Sequence, residues 1–160
     1  MRTKLALAFS LVIIGSLWLA LPYLWLPRGA STISLLWASE TFHQCSRDTP
    51  ETDGGYWLPT ASDITELEFE LPAMLDLRDR QAKKVPPKFE QFQRQYIGFT
   101  RNGQRLIYAN FASIFRDEPW KSWSLFERPT IVCDGGSKFW GVVYDPKNKQ
   151  FEEPEFNGDA

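Results

Sequence analysis

From Leu5 to Leu26 the chain reads LALAFSLVIIGSLWLALPYLWL, 22 residues with no charged side chain. As a helix rising about 1.5 Å per residue this run would be roughly 33 Å long, enough to cross a hydrocarbon core of about 30 Å. Trp18, Tyr23 and Trp25 suit an interfacial aromatic belt, and Pro22 would kink the helix near its end. Arg2 and Lys4 precede the run and Arg28 alone follows it, which keeps the amino terminus on the cytoplasmic side. The pattern predicts an N-terminal membrane anchor over residues 1–28, with 5–26 as its transmembrane helix. A removed signal peptide is the rival. Its apolar core is usually only about 7–15 residues, and small residues stand three and one before the cut. A cut after Ala20 would put Trp18 at the first of these places, and a cut after Ala30 would put Arg28 there.

Residues 29–59 form an irregular lead-in. GASTISLLWAS reads as a strand or a short helix, and RDTPETDGGYWLPT is rich in turn formers, with Trp57 and Leu58 turned towards a core. From Thr60 the spacing of Ile64, Leu67, Leu71 and Met74 or Leu75 predicts one apolar helix face. Thr60 and Asp63 stand as a capping pair, and Pro72 predicts a kink or break. Alternation of Leu67, Phe69 and Leu71 with glutamates leaves a strand as the competing reading. DLRDRQAKKVPPKFEQF reads as a charged, exposed connection. RQYIGFT and RLIYANF then flank Asn102-Gly103, the favoured pair for a two-residue hairpin turn. TIVC, KFWGVVY and QFEEPEF add strands, the last two joined through Asp145-Pro146. The expected domain is therefore α+β over residues 60–160: one helix packed on a mostly antiparallel sheet of four to five strands, preceded by the transmembrane helix.

Charge narrows the classes. After Arg28 there are 20 acidic and 15 basic side chains, a net charge of −5, without the basic patch of a nucleic-acid binder. Glu152, Glu153 and Glu155 belong on the outer face of a last strand, where charge discourages edge-to-edge association.

Cys45 and Cys133 are the two cysteines. A disulfide between them suits a domain outside the cytoplasm and would order the lead-in. Two free thiols and a reactive Cys133 are the alternatives. The reactive form requires His43, the sole histidine, as base, with Asp134 or Asn110 as orienter. Cys45 lies two residues from His43, so a disulfide would consume that nucleophile. The cysteine and histidine spacing matches no compact zinc site, and no phosphate-binding loop is present, so neither a metal nor a cofactor is expected. Asp134-Gly135-Gly136 reads as a tight turn. Gly98 and Gly141, inside strands, mark close approach of a bulky group, such as Trp140 or Tyr96 lying across both. Tyr96, Tyr108, Trp120, Trp123, Trp140 and Tyr144 are the candidate binding surface, in a chain that is 15% aromatic.

RQYIGFTRNGQRLIYANF, then P-x-x-VCDGG, FWGVVYDP and FNG, resembles a motif cluster of uncharacterised small exported or membrane-anchored bacterial proteins. The likeness covers residues 92–160, more loosely from 58. It implies a protein of the bacterial envelope and carries over no catalytic residue. The long hydrophobic run departs from members with shorter leaders or lipid attachment. The expected function is a membrane-anchored, extracytoplasmic binding or interaction module. Its contacts would be the membrane, through residues 5–26, and an envelope protein partner. A thiol-dependent hydrolase or transferase using Cys133 and His43, or a structural subunit of a membrane complex, are the alternatives.

Overall fold

Asn102 (φ 52°) and Gly103 (φ 73°) both take the left-handed backbone that a type I′ hairpin turn requires. They join β3 (Gln93–Arg101) to β4 (Gln104–Ala112), which pair in unbroken register from Gln93↔Ala112 to Arg101↔Gln104. The computed structural model of the chain describes residues 26–82, 89–113 and 127–158. β5 (Phe139–Asp145) lies antiparallel on the far side of β4. These three strands carry the sheet, and each outer edge is covered by two short strands in succession. On β3, β1 (Ala30–Thr32) pairs in parallel with residues 94–96, and β2 (Gly54–Trp57) pairs antiparallel between Gly98 and Thr100. On β5, β7 (Glu155–Phe156) pairs with Trp140 and Gly141, and β6 (Gln150–Phe151) with Tyr144 and Asp145.

The sheet thus has seven strands, not four or five. β1 and β2 come from the lead-in, and at three and four residues they are too short to show a period of two. Two further expectations are corrected. TIVC is not a strand; it belongs to an irregular segment over residues 127–135. QFEEPEF is broken into β6 and β7, because Pro154 cannot donate to a ladder. The expected transmembrane helix lies, apart from Leu26, outside the described residues. Among those described, no helix is long and apolar enough to cross a membrane. Leu26 packs against the core.

The helical reading of residues 60–75 prevails over the strand. α1 (Ala61–Ala82) begins on a reciprocal cap: Thr60 N–H donates to Asp63 Oδ2 at 2.8 Å, and Asp63 N–H donates to Thr60 Oγ1 at 3.2 Å. It does not break at Pro72. Leu71 and Leu75, buried on either side of that residue, hold the next turn on the sheet, while Pro72 faces solvent and forgoes one backbone bond.

α1 covers one face of the sheet. There Ile64, Leu67, Leu71 and Leu75 meet Tyr96, Ile107, Phe111, Trp140 and Tyr144. The opposite face is covered by a 3-10 helix, Leu35–Phe42, which brings Ala38 and Phe42 onto Ile97, Phe99, Tyr108 and Val143. The lead-in is therefore the second covering layer. Gly98 and Gly141 do not face one another. Gly98 pairs with Ile107 on the α1 face and receives the Trp57 ring, while Gly141 pairs with Asn110 on the other face and receives Tyr108. A Cβ at Gly98 would stand 2.2 Å from Trp57, and one at Gly141 would stand 2.1 Å from the Tyr108 hydroxyl. Gly98→Ala and Gly141→Ala should each cost about 1–3 kcal/mol by overpacking, read as a lowered urea midpoint at unchanged slope.

Candidate functional site

Cys45 and Cys133 form a disulfide, with Cα atoms 4.9 Å apart and a sequence separation of 88. Its sulfurs link the segment after the 3-10 helix to the loop before β5. Cys133 therefore has no thiol to act as a nucleophile. His43 is exposed, and its Nδ1 lies 2.8 Å from the Ser39 carbonyl one helical turn back. Asp134, the other expected orienter, is exposed in the Gly135-Gly136 turn, where Gly135 has φ 103° and Gly136 φ 53°.

Asn110 belongs to a buried polar chain instead. Its Nδ2 donates to Gln95 Oε1 (3.1 Å) and to the Thr130 carbonyl (3.0 Å), and its Oδ1 accepts from Arg47 Nη2 (2.5 Å). Gln95 Nε2 donates to Glu127 Oε1 and to the Arg128 carbonyl, and its Oε1 also accepts from Thr130 N–H. Both amides thus use both of their donors and their oxygen. Glu127 Oε1 further accepts from Ser31 Oγ (3.0 Å) and Gln93 Nε2 (3.1 Å). At the other end Arg47 donates to Tyr108 Oη and Asn157 Oδ1, and Asn157 Nδ2 donates to the carbonyls of Val132 and Asp134. The chain runs Ser31–Glu127–Gln95–Asn110–Arg47–Asn157 across the face opposite α1. It pins to the strands the two segments that the disulfide joins. Arg47, Gln95, Glu127 and Asn157 were not singled out from the sequence. The signal for Gln95 was there: an uncharged polar residue at an inward position of a strand whose next inward residues are Ile97 and Phe99.

On the α1 face a second polar cluster fixes the helix. Arg94, 2% exposed, donates to Glu68 through Nε (2.7 Å) and Nη2 (3.4 Å), to the carbonyls of Glu90 and Phe92 through Nη1, and to the Arg28 carbonyl through Nη2. Tyr96 Oη donates to the same carboxylate at 2.7 Å. Burial, with the Glu68 charge beside it, raises the Tyr96 hydroxyl well above its ordinary pKa.

The aromatic residues expected at a binding surface lie inside. Tyr96, Trp140 and Tyr144 are 0% exposed and Tyr108 is 2% exposed, with Trp140 stacked on Phe111 at 3.7 Å. Trp120 and Trp123 lie outside the described residues. Tyr144 Oη and Trp140 Nε1 are buried with no hydrogen-bond partner among the described residues. Burial and the carboxylates of Glu66 and Glu70 push the Tyr144 hydroxyl up to about 12, from about 10 in the unfolded chain. Between those two values the unfolded chain loses its proton first, so the Tyr144 hydroxyl leaves stability independent of pH below about pH 10 and lowers it as pH rises further. Tyr144→Phe should raise stability by about 1 kcal/mol at pH 7, by removing an unpaired buried hydroxyl. It should also flatten the alkaline limb of a stability-against-pH curve measured by urea unfolding.

A cleft of about 910 Å³ opens at the end of the sheet where the hairpin turn lies. Asn102, Gln104 and Arg105 line one wall, Pro146, Lys147 and Asn148 another, and Trp57 and the start of α1 the rest. Arg105 lies over the Trp57 ring, 4.0 Å from its centre. Among the described residues no group of three or more histidine, cysteine, aspartate or glutamate side chains is placed to hold a metal ion. No family model, curated protein or solved structure shows a significant match to this chain.

Proposed function

We propose that this domain is a non-catalytic binding module of the bacterial envelope that works outside the cytoplasm. The observation that carries the reading is the disulfide. It uses both cysteines of the chain and sits where it orders a whole covering layer of the sheet. Such a crosslink persists in oxidising compartments and is rare where thiols are kept reduced. The charge-free run at residues 5–26 and the motif likeness over residues 92–160 support the same location. The buried polar chains support a binding role over catalysis: their side chains are occupied in holding loops and helix to the sheet, and the one thiol–imidazole pair has no thiol.

The test uses the full chain in a bacterial host, with carboxyl-terminal fusions to a phosphatase that is active only after export and to a fluorescent protein that matures only inside. Alkylation of unreduced protein follows. An active phosphatase fusion and no alkylated cysteine are the expected results. A fluorescent fusion together with two alkylated cysteines would overturn the reading.

A further inference from the structure

We propose that the cleft at the hairpin end binds the carboxylates of an acidic peptide segment, with Arg105 as the anchoring residue and Lys147 as a second cation. Arg105 is exposed, and its guanidinium is placed by the Trp57 ring beneath it. That ring is itself fixed, lying against Gly98 and donating through Nε1 to the Phe99 carbonyl at 3.3 Å. Among the described residues the Arg105 side chain makes no ion pair and no hydrogen bond. A guanidinium held over an aromatic ring keeps its planar fork of N–H donors for a carboxylate and gives up less side-chain freedom on binding.

The acidic groups nearby are engaged. Asp63 accepts from the Thr60 N–H and hydroxyl at the start of α1. Asp145 accepts from Lys147 N–H, Asn148 N–H, Asn148 Nδ2 and Gln104 Nε2; against desolvation, which raises it, the bonds from Asn148 and Lys147 and the Lys147 charge hold its carboxyl below the usual range. Glu66 pairs with Lys149, and Glu152 with Arg101. Arg105 and Lys147, with Asn102, Gln104 and Asn148, line an opening with the volume of a ligand site, about 300–1,000 Å³, in which Asp63 is the one carboxylate of the lining. The part of the chain after Arg28 is net acidic, whereas the cleft lining carries two cations, Arg105 and Lys147, against one carboxylate, Asp63. It also lies at the far end of β3 from Arg28, nine residues of strand from where the hydrophobic run ends.

The site deepens the binding-module reading, and the two can fail separately: the fusions report the compartment, whereas affinity is measured on purified protein. The full-length oxidised chain is titrated calorimetrically with a capped tetraglutamate peptide, its tetraglutamine counterpart and sodium phosphate. Tetraglutamate should bind saturably and at least about tenfold more tightly than either of the others, and weaken as salt screens the charges. Arg105→Gln should cost about tenfold in affinity with an unchanged unfolding midpoint, whereas Lys138→Gln, on an exposed cation outside the cleft lining, should change nothing. Equal affinity for the glutamine peptide, equal affinity for phosphate, or full affinity in Arg105→Gln would overturn the proposal.

Discussion

Replacing Cys45 and Cys133 together by alanine should lower stability by about 4 kcal/mol, because the crosslink closes a loop of 88 residues that the unfolded chain must otherwise order. The loss should not be confined to the loop ends. Arg47, two residues after Cys45, reaches Asn110 and Asn157, and Asn157 in turn holds the carbonyls on either side of Cys133. Without the bond, the 3-10 helix Leu35–Phe42 should exchange its amide hydrogens faster than β3 and β4, since its layer is then tied mainly by side chains. Urea unfolding of the wild type in reductant should reproduce the alanine result. A loss below about 1 kcal/mol in both experiments would mean that the polar chain alone fixes the layer.

The parts of the fold that were legible are those with a local cause. Asn102-Gly103 demands positive φ at two successive residues, so one turn type, and with it the β3–β4 register, follows from two letters. The Thr60–Asp63 cap and the spacing of Ile64, Leu67, Leu71 and Leu75 are equally local, and all four apolar side chains are buried. The remainder depends on partners distant in sequence. β6 and β7 hold two residues each, and neither they nor β1 have meaning except as cover for an edge of β3 or β5. Pro72 misled because a helix packed across a sheet outweighs one missing bond. The aromatic residues misled in the opposite sense: abundance suggested a surface, yet the large faces of Tyr96, Tyr108, Trp140 and Tyr144 fill two cores. Polar residues gave the least signal. Gln95, Asn110 and Arg94 look alike in a strand until their distant partners, among them Gln95 for Asn110 (15 positions away) and Glu68 and Arg28 for Arg94 (26 and 66), are brought alongside.

Arg94→Met should cost about 3–5 kcal/mol, the range for removing one partner of a buried ion pair. All five N–H donors of Arg94 have acceptors: Glu68 twice, and the carbonyls of Arg28, Glu90 and Phe92 once each. Methionine fills a similar volume but, among the described residues, leaves the Glu68 carboxylate with only the Tyr96 hydroxyl, and three carbonyls without this donor. Arg94→Lys keeps the charge with three donors on a flexible stem, so it should recover less than half of the loss. Glu68→Gln isolates the other half of the pair. It retains an acceptor for Arg94 and Tyr96 but removes the charge opposing a guanidinium 2% exposed. A double-mutant cycle with Arg94→Met and Glu68→Gln should therefore give a coupling energy above about 1 kcal/mol, since the two residues share one network. The same cycle run with Glu152→Gln, whose partner Arg101 lies at the opposite end of β3, should return additive losses. Additive losses in the first cycle would show that the helix is held to the sheet by its apolar face alone, and that the ion pair is incidental to the packing of α1.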